Sequence, residues 1–257
     1  MVLQRTGDVT SSSCRCLDSW QWSPDLVVPG STQPYVRVSL QPTADEYKTV
    51  ESMFMASMAS EGAVMQRIEK VENPNLLARY QSKKAALSER LSPECINEVQ
   101  AFHGTTPDCV DGICKSSVIP YGKGAYFAWT AIRSHCYTEE DADGLRYMIL
   151  SHVMLGYWTV GEPRPLKPGL PVILRGHHLT HGDSAIDQAH NPHVFVTWDQ
   201  YQSYPSYVIV YRAPDCIHRQ LSVQQEVMQA MKKWDKDAKK RARHSRRRKD
   251  TASCAIM

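Results

Sequence analysis

Between Thr43 and Tyr211 two segments of helical period are followed by a series of short β-rich stretches, and that order restricts the chain to an α+β fold. Thr43-Ala44-Asp45-Glu46 offers an N-cap and an acidic first turn, and Tyr47, Val50, Phe54 and Met58 follow at helical spacing. Gly62 supplies a stop, and residues 64–72 alternate in a way that suits a strand. Asn73-Pro74 opens a second helix over about 74–90, with the proline at a tolerated first-turn position. Gln100-Ala101-Phe102-His103 reads as a buried strand ending at Gly104, and Tyr126-Phe127-Ala128 as a short second one. Residues 146–155 and 171–174 predict further strands. Residues 194–198 and 207–211 are the clearest, being rich in β-branched and aromatic side chains.

Composition sets the domain limits. With 257 residues, 42% of them hydrophobic, the chain can build one core that needs no disulfide or metal staple. Residues 1–42 hold Ser11-Ser12-Ser13, scattered prolines and no sustained period, and are expected to be disordered. Residues 43–220 are expected to form the folded domain, and 221–257 a helix running into a basic tail. The eight cysteines follow a start without the apolar run of a secretory leader, so they are expected to be reduced thiols in a cytosolic protein. No stretch has the length of a membrane span. The net charge of +3 hides an asymmetry: residues 232–257 hold 11 Lys/Arg against 3 Asp, a net +8, whereas the other 231 residues hold 19 Lys/Arg against 24 Asp/Glu, a net −5. Basicity is a property of the tail.

Single motifs say little. Gly122-Lys123-Gly124 lacks the third glycine of a dinucleotide fold, and no Ser or Thr follows Lys123 as a phosphate loop requires, so alone it is a turn before a strand. His103 alone would be a buried histidine satisfied by a backbone partner, and Tyr126 and Tyr137 core aromatics. His177, His178, His181, His190 and His193 cluster in sequence without zinc spacing or a nearby cysteine. They read as exposed loop histidines, and no metal is expected.

Taken together the segments are specific. Phe102-His103-Gly104-Thr105, Tyr121-Gly122-Lys123-Gly124-Ala125-Tyr126-Phe127-Ala128, Ser134-His135-Cys136-Tyr137 and Gln202-Ser203-Tyr204-Pro205-Ser206-Tyr207 occur in that order. Residues 68–80 precede them, and Asp183-Ser184-Ala185-Ile186-Asp187 and Asn191-Pro192 fall among them. Over roughly residues 45–213 this resembles the poly(ADP-ribose) polymerase catalytic domain. The resemblance implies an ADP-ribosyltransferase-like split β-sheet core with N-terminal helices, and NAD as co-substrate. It also implies roles. The Gly104 backbone would bond the nicotinamide carboxamide, where a side chain would block approach. Ser134 would donate its hydroxyl to the same amide. Tyr137 would stack on the nicotinamide ring and Tyr126 would pack on its other face. His103, followed by Thr105 in the binding segment, would bond the adenosine-side ribose.

Polymer-forming members of that family carry a glutamate at a third catalytic position, and alignment through Asp199 and Gln202 places Val194 there. Valine can neither accept a proton nor bond a ribose hydroxyl. His103, Tyr126 and Val194 therefore resemble the mono-ADP-ribosyltransferase branch, acting on a protein acceptor with self-modification included. The alternative is a catalytically silent relative that keeps NAD or a partner. Only residues from about Pro107 to Tyr121 separate the first two motifs, which implies a short lid over the donor site.

The sequence ends Cys254-Ala255-Ile256-Met257, a prenylation box whose Met favours farnesyl. One lipid chain binds membranes marginally, and the basic runs Lys239-Lys240-Arg241 and Arg246-Arg247-Arg248-Lys249 supply a second signal toward an anionic membrane. The expectation is a cytoplasmic, membrane-associated protein lipidated at Cys254. Nuclear localisation through the basic run is the alternative. With only Trp234 as an aromatic in the run, a nucleic-acid partner is not expected.

Overall fold

A computed structural model describes residues 34–91, 95–118, 124–160, 171–173, 179–188 and 190–215. In chain order these form β1 (Val36–Ser39), α1 (Asp45–Met58), β2 (Val64–Glu72), α2 (Pro74–Arg90), β3 (Glu98–Thr105) and α3 (Val110–Ser116). There follow β4 (Ala125–Ala128), α4 (Ala131–His135), β5 (Arg146–Met154), β6 (Trp158–Val160), β7 (Pro171–Ile173), β8 (Leu179–His181), β9 (Ser184–Ile186), β10 (Val194–Thr197) and β11 (Ser203–Arg212). Nine strands make one sheet in the order β1-β2-β11-β5-β3-β4-β10-β9-β6, and β7 and β8 pair separately. The α+β class expected from the sequence is what the chain adopts.

The sheet parts in the middle. β3 pairs with β5 along its whole length, from Glu98↔Met154 to Thr105↔Tyr147. Toward β4 it meets at one position, Phe102 opposite Ala128. Gly104 and Thr105 run on without a β4 partner. Each half is otherwise continuous, and only the β6–β9 pairing is parallel.

The two faces carry separate cores. On one, Tyr47, Val50, Phe54 and Met58 of α1 pack with Ile68, Phe102, Met148, Leu150, Ile209 and Tyr211. On the other, Val110, Ile113 and Cys114 of α3 pack with Val71, Ile149, Val208, Phe127 and Phe195. Because helices cover both faces, the central strand β11 is buried at every position from Ser203 to Tyr211 and shows no polar alternation. The Asn73 side chain accepts the Leu76 N–H at 3.0 Å as the N-cap of α2 and donates to the carbonyls of Cys114 and Lys115, tying the start of α2 to the end of α3.

Three expectations are corrected. The ordered sheet starts before residue 43: Val36–Ser39 pair with Glu69–Glu72, because the half-buried Val36 and Val38 have an exposed strand to lie on. Residues 1–33 and 216–257 are outside the described residues. α1 has Ala44 at its cap position with no side-chain cap, so Thr43 does not serve. The connection from Pro107 is not a lid as far as it is described. It is a 3₁₀ turn followed by α3, whose Val110, Ile113 and Cys114 are buried in the core. Cys109 and Cys114 are free thiols. Among the described residues no helix is long and apolar enough to cross a membrane.

Candidate active site

The parting between β3 and β4 is where the sequence-identified residues meet. Just past the last paired position, the His103 Nδ1 lies 2.7 Å from the Tyr126 backbone oxygen, so the side chain bridges the gap that the ladder leaves. A carbonyl only accepts, so Nδ1 carries the proton and Nε2 is left as the acceptor. Burial pulls the His103 pKa below its ordinary value, which keeps the ring neutral. The ring packs at 5.6 Å from that of Phe127.

α4 closes the same place from the other side of β3. The Ser134 hydroxyl donates to the Phe102 carbonyl at 3.0 Å. A Cβ on Gly104 would stand 1.9 Å from the Ser134 carbonyl oxygen and 3.1 Å from the Tyr137 Cβ. The glycine is therefore required by the packing of α4 on β3. This packing is a separate ground for glycine from the ligand approach expected from the sequence. The Ser134 hydroxyl, whose proton goes to Phe102 here, keeps lone pairs free to accept, and turning the hydroxyl aims its proton elsewhere.

Tyr126 and Tyr137 are both large and exposed, at 47% and 58%, in a domain that exposes few large apolar side chains. Burial raises the Tyr137 pKa, with further contributions from its neighbours Cys136 and Tyr126. Thr105 is buried at the end of β3 on the His103 side of the strand, alternating with Gly104.

Val194 is the first residue of β10 and lies opposite Ala128, while Val196 lies opposite Tyr126. It thus shares the Tyr126 face of the sheet, displaced by two residues. Its N–H donates to Asp187 Oδ1 at 3.1 Å, as does that of His193 at 2.8 Å, so the carboxylate caps the turn into β10. The register rests on Asp199 and Gln202, which form a reciprocal capping box around the 3₁₀ turn Gln200–Gln202. Gln202 also donates to the carbonyls of Met154 and Asp183.

Gly124, with φ +131°, needs to be glycine because a Cβ would come within 2.6 Å of Val196 and 2.7 Å of the Thr197 carbonyl on β10. Tyr121, Gly122 and Lys123 lie outside the described residues, as do His177, His178 and Cys254. His193 has Gln188 and Asn191 amides at its two ring nitrogens. Among the described residues no group of three or more His, Cys, Asp or Glu is placed to hold a metal.

Sequence reasoning missed His135 and Arg146, two buried residues, the first at the end of α4 and the second at the start of β5. His135 was quoted only as part of a motif, and Arg146 only as the start of a strand. A charged residue opening an apolar strand was the available signal.

A split antiparallel sheet with a His-Gly strand at the parting and two exposed tyrosines beside it has the architecture of an ADP-ribosyltransferase catalytic domain. Residues 44–164 match the family model described as the poly(ADP-ribose) polymerase catalytic domain, and the chain belongs to that family. It is 31% identical over 196 residues, 70% of its length, to human protein mono-ADP-ribosyltransferase PARP14. It is 30% identical over 186 residues, 69% of its length, to human protein mono-ADP-ribosyltransferase PARP12, and 29% identical over 204 residues, 68% of its length, to mouse protein mono-ADP-ribosyltransferase PARP11. The chain spans 10%, 26% and 60% of those three proteins, respectively.

Proposed function

We propose that this protein transfers a single ADP-ribose unit from NAD to a protein acceptor, with release of nicotinamide. The observation that carries the reading is the His103–Tyr126 bridge at the parting of the sheet, which fixes a proton on Nδ1, so that the neutral ring favoured by burial presents Nε2 as a hydrogen-bond acceptor. The site fits NAD in two respects. On its β4 side the β3 edge at Gly104 has no strand partner among the described residues, so peptide groups there suit a carboxamide, which carries one donor and one acceptor like a peptide. The Nε2 acceptor suits a ribose hydroxyl.

NAD supplies a ribose–nicotinamide bond that breaks to leave a neutral base. Gly104 and Ser134 hold the carboxamide, Tyr137 and Tyr126 line the ring, and His103 orients the ribose, so that the sugar carbon is presented to the acceptor in one geometry. The bond from that carbon to nicotinamide nitrogen breaks, a bond to the acceptor heteroatom forms, and the acceptor gives up its proton. Val194 offers no group to polarise a ribose hydroxyl as a second acceptor. The reaction stops at one unit and is a pentosyl transfer.

Intact-mass analysis after incubation with NAD is the direct test. The expected result is the mass increase of a single ADP-ribose per modified site, with nicotinamide released. Chains of units would refute single transfer. Absence of both modification and nicotinamide release would establish the silent-relative reading.

The proposal extends to location. Where Cys254-Ala255-Ile256-Met257 forms the mature C-terminus, farnesylation at Cys254 and the basic run hold the protein on an anionic, cytoplasmic membrane face. Each basic residue close to the surface contributes about 1 kcal/mol. A Cys254→Ser variant is expected to move from the membrane to the soluble fraction of cells. Unchanged membrane retention would refute lipid anchoring, and accumulation of the unmutated protein in nuclei would favour the nuclear reading.

A further inference from the structure

α4 has five residues, too few to be stable on its own, yet it carries Ser134 and leads to Tyr137 two residues past its end. One side is held against β3 by Gly104 and the Ser134–Phe102 hydrogen bond. The other side is held by His135, which is 2% exposed. Its Nε2 is 3.2 Å from the Pro214 carbonyl oxygen and its Nδ1 is 2.8 Å from the Tyr211 hydroxyl. Since the carbonyl accepts, Nε2 carries the proton, and Nδ1 accepts from Tyr211. Both nitrogens of a neutral ring are thus used, and burial lowers the His135 pKa in keeping with that state.

Thr138 and Arg146 extend the arrangement. The Thr138 hydroxyl donates to the His135 carbonyl at 2.9 Å and lies 3.2 Å from the Tyr211 hydroxyl. Arg146 donates to the Thr138 carbonyl at 2.9 Å and the Ala213 carbonyl at 3.3 Å, and it pairs with Glu140 at 2.9 Å and with Asp215. The stretch from His135 to Glu140 is therefore fastened to the end of β11 and the three residues after it. Ser134 immediately precedes this stretch and Tyr137 lies within it, but none of its fastening groups lies in the parting between β3 and β4.

We propose that His135, bonded between Tyr211 and Pro214 and backed by Arg146, is a positioning residue that sets Ser134 and Tyr137 against the nicotinamide half of NAD. The inference rests on the functional reading above. It makes the end of β11 part of the nicotinamide wall, although no residue there touches the ligand. Loosening the fastening shifts the wall and leaves the His103 side, built on β3 and β4, in place.

The test uses the full chain and two probes, nicotinamide and ADP-ribose, the second of which lacks the nicotinamide ring. Tyr211→Phe keeps the ring that packs on Phe54 and removes only the hydroxyl, so it is the variant that preserves the core. His135→Ala removes both bonds. For both variants the nicotinamide Kd and the KM for NAD are expected to rise together, about tenfold for Tyr211→Phe, the scale of one lost buried hydrogen bond. The ADP-ribose Kd is expected to stay unchanged, and His135→Gln to recover part of the loss. Equal weakening of both probes, or a fall in melting temperature with both affinities intact, would reduce His135 to a purely structural residue and overturn the proposal. If the wild-type protein binds neither probe and releases no nicotinamide, the functional reading itself fails and this inference with it. Wild-type binding with unaffected variants refutes the inference alone.

Discussion

Gly104→Ala is expected to destabilise the protein by about 3 kcal/mol, the upper range for forcing an atom into a packed interior. The added Cβ would lie 1.9 Å from the Ser134 carbonyl oxygen and 2.9 Å from its carbon. Those are backbone atoms, so no rotamer change relieves the overlap, and α4 has to move. For a domain of this size the loss corresponds to a fall in melting temperature of roughly 6–12 °C. The displacement also carries Ser134 and Tyr137 away from β3, so nicotinamide binding is expected to fall with stability. Thermal denaturation and a nicotinamide titration on the same variant decide the matter. An unchanged melting temperature with lost binding would show that the glycine serves ligand approach after all. Both quantities unchanged would mean that α4 does not pack as described.

His103→Ala is expected to lower kcat/KM for NAD by about a hundredfold, as removal of an orienting hydrogen bond displaces the reacting sugar. Two interactions are lost together. The Nε2 acceptor disappears, and the Tyr126 carbonyl loses the donor that lies at 2.7 Å. The pH profile adds an independent check. Protonation at Nε2 turns the acceptor into a donor and abolishes its use toward a ribose hydroxyl. Because burial lowers the folded-state pKa, kcat/KM is expected to stay level down to about pH 6.5, the ordinary histidine value, and to fall only below it. The sign for stability is the same: the unfolded chain binds this proton more readily, so the stability is present above the unfolded pKa and is lost as pH falls. A decline in kcat/KM already between pH 8 and 7 would remove His103 from the assigned role.

Residues whose pattern is local were readable in advance. Tyr47, Val50, Phe54 and Met58 of α1 are all buried as their spacing predicts, and Asn73-Pro74 opens α2 with the asparagine side chain as its cap. The β-branched runs at 194–197 and 207–211 lie within β10 and β11. The helix α3 was passed over although Val110, Ile113 and Cys114 have helical spacing, because a glycine at 112 and a serine-containing end resemble a loop. β1 was missed because four residues of alternating burial become a strand only when Glu69–Glu72 are there to pair with them.

Sequence alone decided the identity of the groups at the site. It placed a histidine, a glycine, a serine and two tyrosines in family order, with Val194 after them. Those are statements about residue type and order, and a one-dimensional string carries them completely. Their geometry arose only in three dimensions. The parting of β3 from β4 after Phe102 and Ala128, the choice of imidazole tautomer by the Tyr126 carbonyl, and the contact of Gly104 with Ser134 each join atoms far apart in the chain. The bond from His135 to Pro214 spans 79 residues, and no local propensity encodes it. Interactions of that range are settled by which surfaces the two cores bring together, and there the tertiary structure supplied the packing that requires glycine at 104 and the bonds that hold His135.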